Sequence, residues 1–390
     1  MSETRSGRKE LYTLSAAYFF SYMGVGAIQP YLKPYLEDLN GWSGPKSAWV
    51  LGSVYLSGIF AQFVSVTMVR MFGPRLTVIT GLGFCTAFSW LMVLHPTSFP
   101  LLLAVGVIWG WGASCLWVGG PSIVLDNADE KTYGSASSVL HASVFFSQGL
   151  GVLVLGWIAS VYGKPKLFIV AAVISIIANV VSFGLPRARA KVERVSLLEG
   201  MKVLCSWQGL IVSILMLSSS FGFGILLGNL SSSVAEARQD FGSVGTLTLG
   251  FYIARLVLGW AAGPLSDRFG RAPLLVFGYG SAAVGLFLAG FSDHPAVVTF
   301  AALSLGIQIG AATVTVTALI GDWAPPAKRH VILGTLQMWK GVGAASTIIL
   351  GQYLKIWMGG YETTFFIFSG LMAICVVLAL VLGALFKQEE

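Results

Sequence analysis

Apolar positions in this chain come in long, nearly unbroken blocks. They do not follow the two-residue or 3.6-residue spacing of half-buried elements, and short polar turns marked by glycine or proline close each block. A membrane-crossing helix needs about 20 largely apolar residues. Twelve blocks come near or exceed that length, at 11–36, 47–69, 76–95, 99–125, 137–162, 167–185, 209–234, 242–263, 273–291, 295–320, 331–357 and 362–386. The pattern predicts an all-α integral membrane protein with twelve transmembrane helices. One connection is long. Residues 186–208, PRARAKVERVSLLEGMKVLCSWQ, begin basic and turn amphipathic, as a linker lying along a membrane surface would. They divide the chain into a six-helix bundle at 1–185, a cytoplasmic linker at 186–208 and a second six-helix bundle at 209–390.

Composition agrees. Hydrophobic residues make up 55% and charged residues 11%, too few charges to cover a water-facing surface. The 47 glycines suit helices that approach closely in lipid. The first apolar block follows a polar, basic start; it is too long for a signal-peptide core and lacks a cleavage site, so an uncleaved first span is expected. The net charge of +7 is read through its distribution. Of 24 Lys and Arg, sixteen fall on the side that holds both termini, six on the other, and two inside spans. That bias predicts cytoplasmic termini in a multi-pass protein of the plasma (cytoplasmic) membrane. The excess charge thus reports cytoplasmic loops, and no nucleic-acid partner is expected. The four cysteines form no spacing motif, so free thiols are expected, with no disulfide and no metal site. Without a nucleotide loop, nucleophile triad or metal spacing, neither an enzyme nor a cofactor is expected, and the chain should act as a monomer in the bilayer.

The two halves repeat. VRMFGPR at 69–75 answers SDRFGRA at 266–272, with Gly73 on Gly270 at an offset of 197 residues. Gly134 likewise answers Gly334 at an offset of 200. Such a repeat implies two bundles related by an axis along the membrane normal, with a substrate site at the repeat interface.

The two basic residues inside spans are Arg255 and Lys340. A charge at bilayer depth costs about 2.5–3.5 kcal/mol on insertion scales and usually serves function. Arg255 lies ~12 Å and Lys340 ~15 Å from the cytoplasmic ends of their helices, by helical rise. Asp and Glu fall only at or beyond the ends of the twelve blocks, so an anionic substrate is the expected partner of both cations. The alternative is that each snorkels or bonds a helix-end carbonyl. Tyr18, Tyr22 and Gln29 on the first span and Tyr55 on the second are placed to line a cavity and bond a carboxylate. Asn229 and Gln308 are further candidate contacts. His141 is open to two readings, a proton relay or a hydrogen-bonded packing residue. Tyr31 and Tyr35 read as interfacial anchors, and Trp109, Trp111 and Trp117 as lipid-facing or packing residues. Gly222, Gly224 and Gly228 fit either a bend in the seventh span or close packing.

The run Gly263-Pro264-Leu265-Ser266-Asp267-Arg268-Phe269-Gly270-Arg271 resembles the loop signature of the major facilitator superfamily. With the twelve spans, that resemblance covers essentially the whole chain. In the first-half copy Val66, Arg70 and Met71 stand where the family has glycine, aspartate and arginine, while Gly73 and Arg75 remain. The resemblance implies a cytoplasmic latch of the outward-open state resting mainly on Asp267, with Arg268 and Arg271 pairing acids or carbonyls nearby. Arg255 in ARLVLGWAAGPLSDRFGR and Lys340 in GTLQMWKGVGA also resemble the span 8 arginine and span 11 lysine of the oxalate/formate and monocarboxylate transporter group, and Ser47-Ala48-Trp49 its second-span entrance. Gln29 stands where the animal members carry lysine, with Lys33 one turn further out, and the fourth span lacks the pattern of the bacterial members. The resemblance implies a secondary active transporter moving a small organic anion, a mono- or dicarboxylate, by alternating access with a proton or by anion exchange. Alternatives are an exporter of drugs or other amphiphiles, which would normally carry an intramembrane acid; an organophosphate exchanger, which would carry basic residues in spans 1 and 7; and a non-transporting transceptor or assembly protein.

Overall fold

Gly73 and Gly270 close two equivalent helix-to-helix turns. Their backbones sit at φ 86°, ψ 161° and φ 92°, ψ 161°, a region that favours glycine. Each donates its N–H four residues back, to Val69 and to Ser266, at 3.0 Å. The weakened first copy of the signature therefore keeps the geometry of the second.

A computed structural model describes residues 2–127, 133–185, 207–323 and 329–386. Its elements are α1 (Ser2–Gly24), a 3-10 turn (Val25–Ile28), α2 (Gln29–Asn40), α3 (Gly44–Phe72), α4 (Pro74–Val93), α5 (Phe99–Asn127), α6 (Tyr133–Tyr162) and α7 (Lys166–Ser182). The second half holds α8 (Trp207–Ser218), α9 (Phe221–Ile225), a π-helical turn (Leu226–Leu230), α10 (Ser231–Arg238), α11 (Phe241–Phe269), α12 (Arg271–Ala289), α13 (Pro295–Trp323), α14 (Arg329–Met358) and α15 (Tyr361–Phe386). Every expected span coincides with helix. Among the described residues ten helical segments are long and apolar enough to cross a membrane; Lys166–Ser182 is a shorter apolar helix, and α14 covers the eleventh block. The expected linker lies, up to residue 206, outside the described residues, as does Cys205. Cys85, Cys115 and Cys375 are free and buried.

Contacts group the chain into two compact units, Met1–Glu193 with Asp240–Leu249, and Arg194–Gln239 with Gly250–Glu390. The opening turns of α11 thus belong to the first unit, and its remainder, with Arg255, to the second. Each unit repeats the same packing. In the first, α4 packs on α5 and α7; in the second, α12 packs on α13 and α15. A β-carbon at Gly106 or Gly110 of α5 would meet α3, 3.0 Å from the Val50 carbonyl and 2.2 Å from that of Val54. Gly306 and Gly310 of α13 answer them, with a β-carbon 2.3 Å from the Phe251 carbonyl and 3.0 Å from that of Arg255. Missing side chains at these four points let the helix backbones touch.

The irregular turns are repeated too. The amide of Gln148 on α6 donates to the Gly26 carbonyl in the 3-10 turn at 3.5 Å, and that of Gln352 on α14 donates to the Gly228 carbonyl in the π-turn at 2.7 Å. A carbonyl displaced from the regular ladder needs such a donor when no water reaches it.

Two expectations need correction. Tyr31 and Tyr35 are not interfacial anchors, because both are fully buried. The Tyr31 hydroxyl donates to the Val152 carbonyl, and that of Tyr35 bonds His95 Nδ1 at 2.7 Å. The first span also runs on to Asn40, so it includes Glu37. The fully buried Lys33 meets the Glu37 carboxylate at 2.7 Å, and the Ser47 hydroxyl donates to the same oxygen at 3.0 Å. A one-turn shift in the expected helix end had hidden this ion pair.

Candidate functional site

In the second unit the candidate residues gather where the seventh span stops being a regular helix. α8 ends at Ser218, and the chain turns through Ser219 and Ser220 before α9. The amide of Gln308 donates to the freed Ser218 carbonyl at 3.2 Å, and the Tyr279 hydroxyl reaches the Ser218 hydroxyl at 2.7 Å. The Ser220 hydroxyl donates to the Lys340 carbonyl at 2.7 Å. Three neighbouring helices thus hold the break open. The seventh-span glycines serve close approach as well: a β-carbon at Gly224 would lie 2.1 Å from the Thr347 hydroxyl and 2.4 Å from the Ala344 carbonyl. Interrupted helices and π-turns recur at functional sites in membrane proteins.

Beside this break lies Arg255. Its guanidinium carbon sits 5.5 Å above the Phe223 ring of α9, and Phe223 stacks on Phe251 at 5.9 Å. Gly310 lets α13 seat against the Arg255 carbonyl, which fixes the helix at that point. Arg255, Phe223 and Lys340 are half-buried. The charges of Arg255 and Lys340 lie within electrostatic reach of each other. Two neighbouring cations in a low-dielectric setting favour an anion between or beside them.

The other expected contacts divide. Asn229 donates to the Thr347 carbonyl at 3.0 Å and accepts from Gln352 at 2.9 Å, so its amide ties the π-turn to α14. Gln308 supports the helix break, as described. In the first unit, the Tyr18 hydroxyl donates to the Leu116 carbonyl, and a β-carbon at Gly120 would strike it. Tyr18 is a helix-to-helix tie. Tyr22, Trp117, His141 and Phe145 instead form an aromatic chain, with neighbouring ring centres at 5.9, 5.7 and 6.0 Å. Trp117 thus belongs with Tyr22 and His141. Gln29 follows the 3-10 turn, its side-chain amide oxygen Oε1 buried and without a hydrogen-bond partner among the described residues. Tyr55 is half-buried on α3.

At the signature turn, Asp267 pairs with Arg271 four residues on, and Arg271 also donates to the Ser266 hydroxyl at 2.6 Å. Arg268 lies over the Phe269 ring at 5.3 Å, and Gly263 has open space around it. In the first copy Arg70 is exposed, and Arg75 donates to the Phe183 carbonyl at 2.7 Å. Asp240 caps α11 within the first unit. The Gly242 and Ser243 N–H groups donate to it at 3.0 and 2.8 Å, and the Ser160 hydroxyl at 2.6 Å. Burial pushes the Asp240 carboxyl up, but these hydrogen bonds outweigh it and hold the group below the usual carboxylate range.

The family model of the Major Facilitator Superfamily matches residues 14–231 and 212–389. The chain belongs to the major facilitator superfamily. It is a multi-pass membrane transporter and not an enzyme. Among its relatives is the multidrug efflux protein YfmO of Bacillus subtilis (strain 168), 24% identical over 344 residues, covering 86% of this chain and 84% of that protein. A probable 4-methylmuconolactone transporter of Cupriavidus pinatubonensis is 27% identical over 136 residues, 35% of this chain and 31% of its own. The solved nucleoside transporter NupG superposes with a TM-score of 0.77 over 97% of this chain and 99% of that one, at 14% identity, a likeness of fold alone.

Proposed function

We propose that this facilitator is a secondary active transporter of a small organic anion, a mono- or dicarboxylate, working by alternating access with a proton or in exchange for another anion. One observation carries the reading: Arg255 and Lys340 lie half-buried and within electrostatic reach beside the broken seventh span, in a half whose Asp and Glu, among the described residues, all lie in loops or within two residues of a helix end. Arg255 forks onto the carboxylate, and the fork geometry favours two parallel hydrogen bonds. Lys340 neutralises the same group or a second carboxylate. Phe223, its ring centre 5.5 Å from the guanidinium carbon, supports the cation beside the break. His141, between Trp117 and Phe145 in the aromatic chain, is the residue assigned to proton coupling, and Asp267 with Arg271 to the latch. The bias of basic residues supports insertion in the plasma membrane with both termini cytoplasmic.

A second reading, an exporter of amphiphiles, is favoured by the efflux protein matched over most of its length and by the first unit's aromatic chain. A thermal-shift screen of carboxylates, phosphates, sugars and cationic drugs on the purified protein separates the two, since a ligand stabilises the state that it binds. Stabilisation by carboxylates is expected. Stabilisation by cationic drugs alone would replace the first reading with the second.

A further inference from the structure

Tyr252 stands three residues before Arg255 on α11, on the same face of the helix. Its ring packs edge-on against Phe251 at 5.3 Å, and Phe251 carries the Phe223 ring over which Arg255 lies. The side chain is 1% exposed, and its hydroxyl has no hydrogen-bond partner among the described residues. Other deeply buried tyrosines are satisfied. Tyr18 reaches the Leu116 carbonyl, Tyr31 the Val152 carbonyl, Tyr35 His95, and Tyr279 both Ser218 and the Leu215 carbonyl. A buried hydroxyl without a partner destabilises a fold in which phenylalanine would fill the same space. Tyr252 is therefore suited to a partner that comes and goes.

We infer that Tyr252 is a further substrate-binding residue, whose hydroxyl donates a third hydrogen bond to the carboxylate held by Arg255. The inference rests on the anion reading above. A carboxylate offers about four lone-pair directions. The guanidinium fork takes two of them and leaves others for a phenol lying within electrostatic reach of the same cation. Arg255 is half-buried and Tyr252 fully so. A cationic ligand would meet Arg255 and leave the hydroxyl unsatisfied.

The test titrates wild type, Tyr252→Phe and Arg255→Ala in detergent with sodium acetate, benzoate, oxalate and succinate, reading thermal stability with and without each salt. Phenylalanine keeps the ring against Phe251. Without ligand, Tyr252→Phe is expected to be as stable as wild type or more so, while its affinity for the best carboxylate falls about tenfold or more, the weight of a hydrogen bond to a charged group. Wild-type affinity in Tyr252→Phe, alongside lost binding in Arg255→Ala, would overturn the role of Tyr252 and leave the anion reading standing. Wild-type binding in Arg255→Ala, or no binding of any of the four to wild type, would overturn both. A loss of stability in ligand-free Tyr252→Phe would make the hydroxyl a structural group and overturn the inference as well.

Discussion

The guanidinium carbon of Arg255 lies 5.5 Å from the centre of the Phe223 ring. The contact joins a cation of the eighth span to the interrupted stretch of the seventh, which three other helices hold in place. A cation over an aromatic face gains about 0.5–2 kcal/mol, more as water is excluded. The ring thus helps keep the charge at depth.

Phe223→Leu tests this contact. Leucine keeps apolar bulk and removes the ring face. The expected result is a folded protein whose carboxylate affinity falls roughly three- to tenfold, in line with the strength of such a contact. Isothermal titration measures it, and unchanged affinity would separate Arg255 from Phe223.

Gly224→Ala should be costly. Its β-carbon would sit 2.1 Å from the Thr347 hydroxyl and 2.4 Å from the Ala344 carbonyl, and the second of these is backbone. Overpacking of this kind costs about 1–3 kcal/mol. A lower melting temperature in detergent is expected, whereas Gly259→Ala, with nothing within 4 Å of its β-carbon, should melt near wild type.

The ion pair at the end of the first span gives a separate prediction. Lys33 is fully buried, and the Glu37 side chain is 17% exposed. Removing one partner of a buried pair costs about 3–5 kcal/mol, while replacing both by apolar groups is often near neutral. Lys33→Met and Glu37→Leu alone should therefore lower the melting temperature more than the double variant does. Additive losses in a double-mutant cycle would mean that the pair is not coupled.

Asp240 predicts an acid sensitivity. Its folded carboxyl titrates below the usual range because Ser160, Gly242 and Ser243 donate to the ionised form. Its stabilisation is complete above the ordinary carboxylate pKa of about 4 and is lost as pH falls through the folded value. Asp240→Asn keeps a capping residue but cannot titrate. It should melt near wild type at neutral pH and show a smaller loss below about pH 4.

Twelve helical stretches were legible from the length of the apolar blocks, and the repeat from Gly73 and Gly270, because membrane solvation and positive-φ turns leave strong marks in sequence. The site was legible only where it carried charge. Arg255 and Lys340 stand out against lipid, but Phe223 and Tyr252 are apolar or amphipathic residues in spans full of them. Only the packing of rings and the unsatisfied hydroxyl mark them. Asn229 and Tyr18 drew attention as polar groups in apolar spans, and their amide and hydroxyl hold helices together. A polar side chain serves either role, and sequence carries no sign of which backbone carbonyl it will meet. Glu37 was missed for a simpler reason, a helix that runs four residues past the end of the apolar block at 36.

Counterflow into proteoliposomes decides the matter most directly. Vesicles loaded with the unlabelled carboxylate that best stabilises the protein should accumulate its labelled form through wild type. Arg255→Lys should retain a small fraction, because a point charge replaces the fork, and Arg255→Ala should retain none while still folding and inserting. Wild-type counterflow through Arg255→Ala would contradict the anion site at its centre.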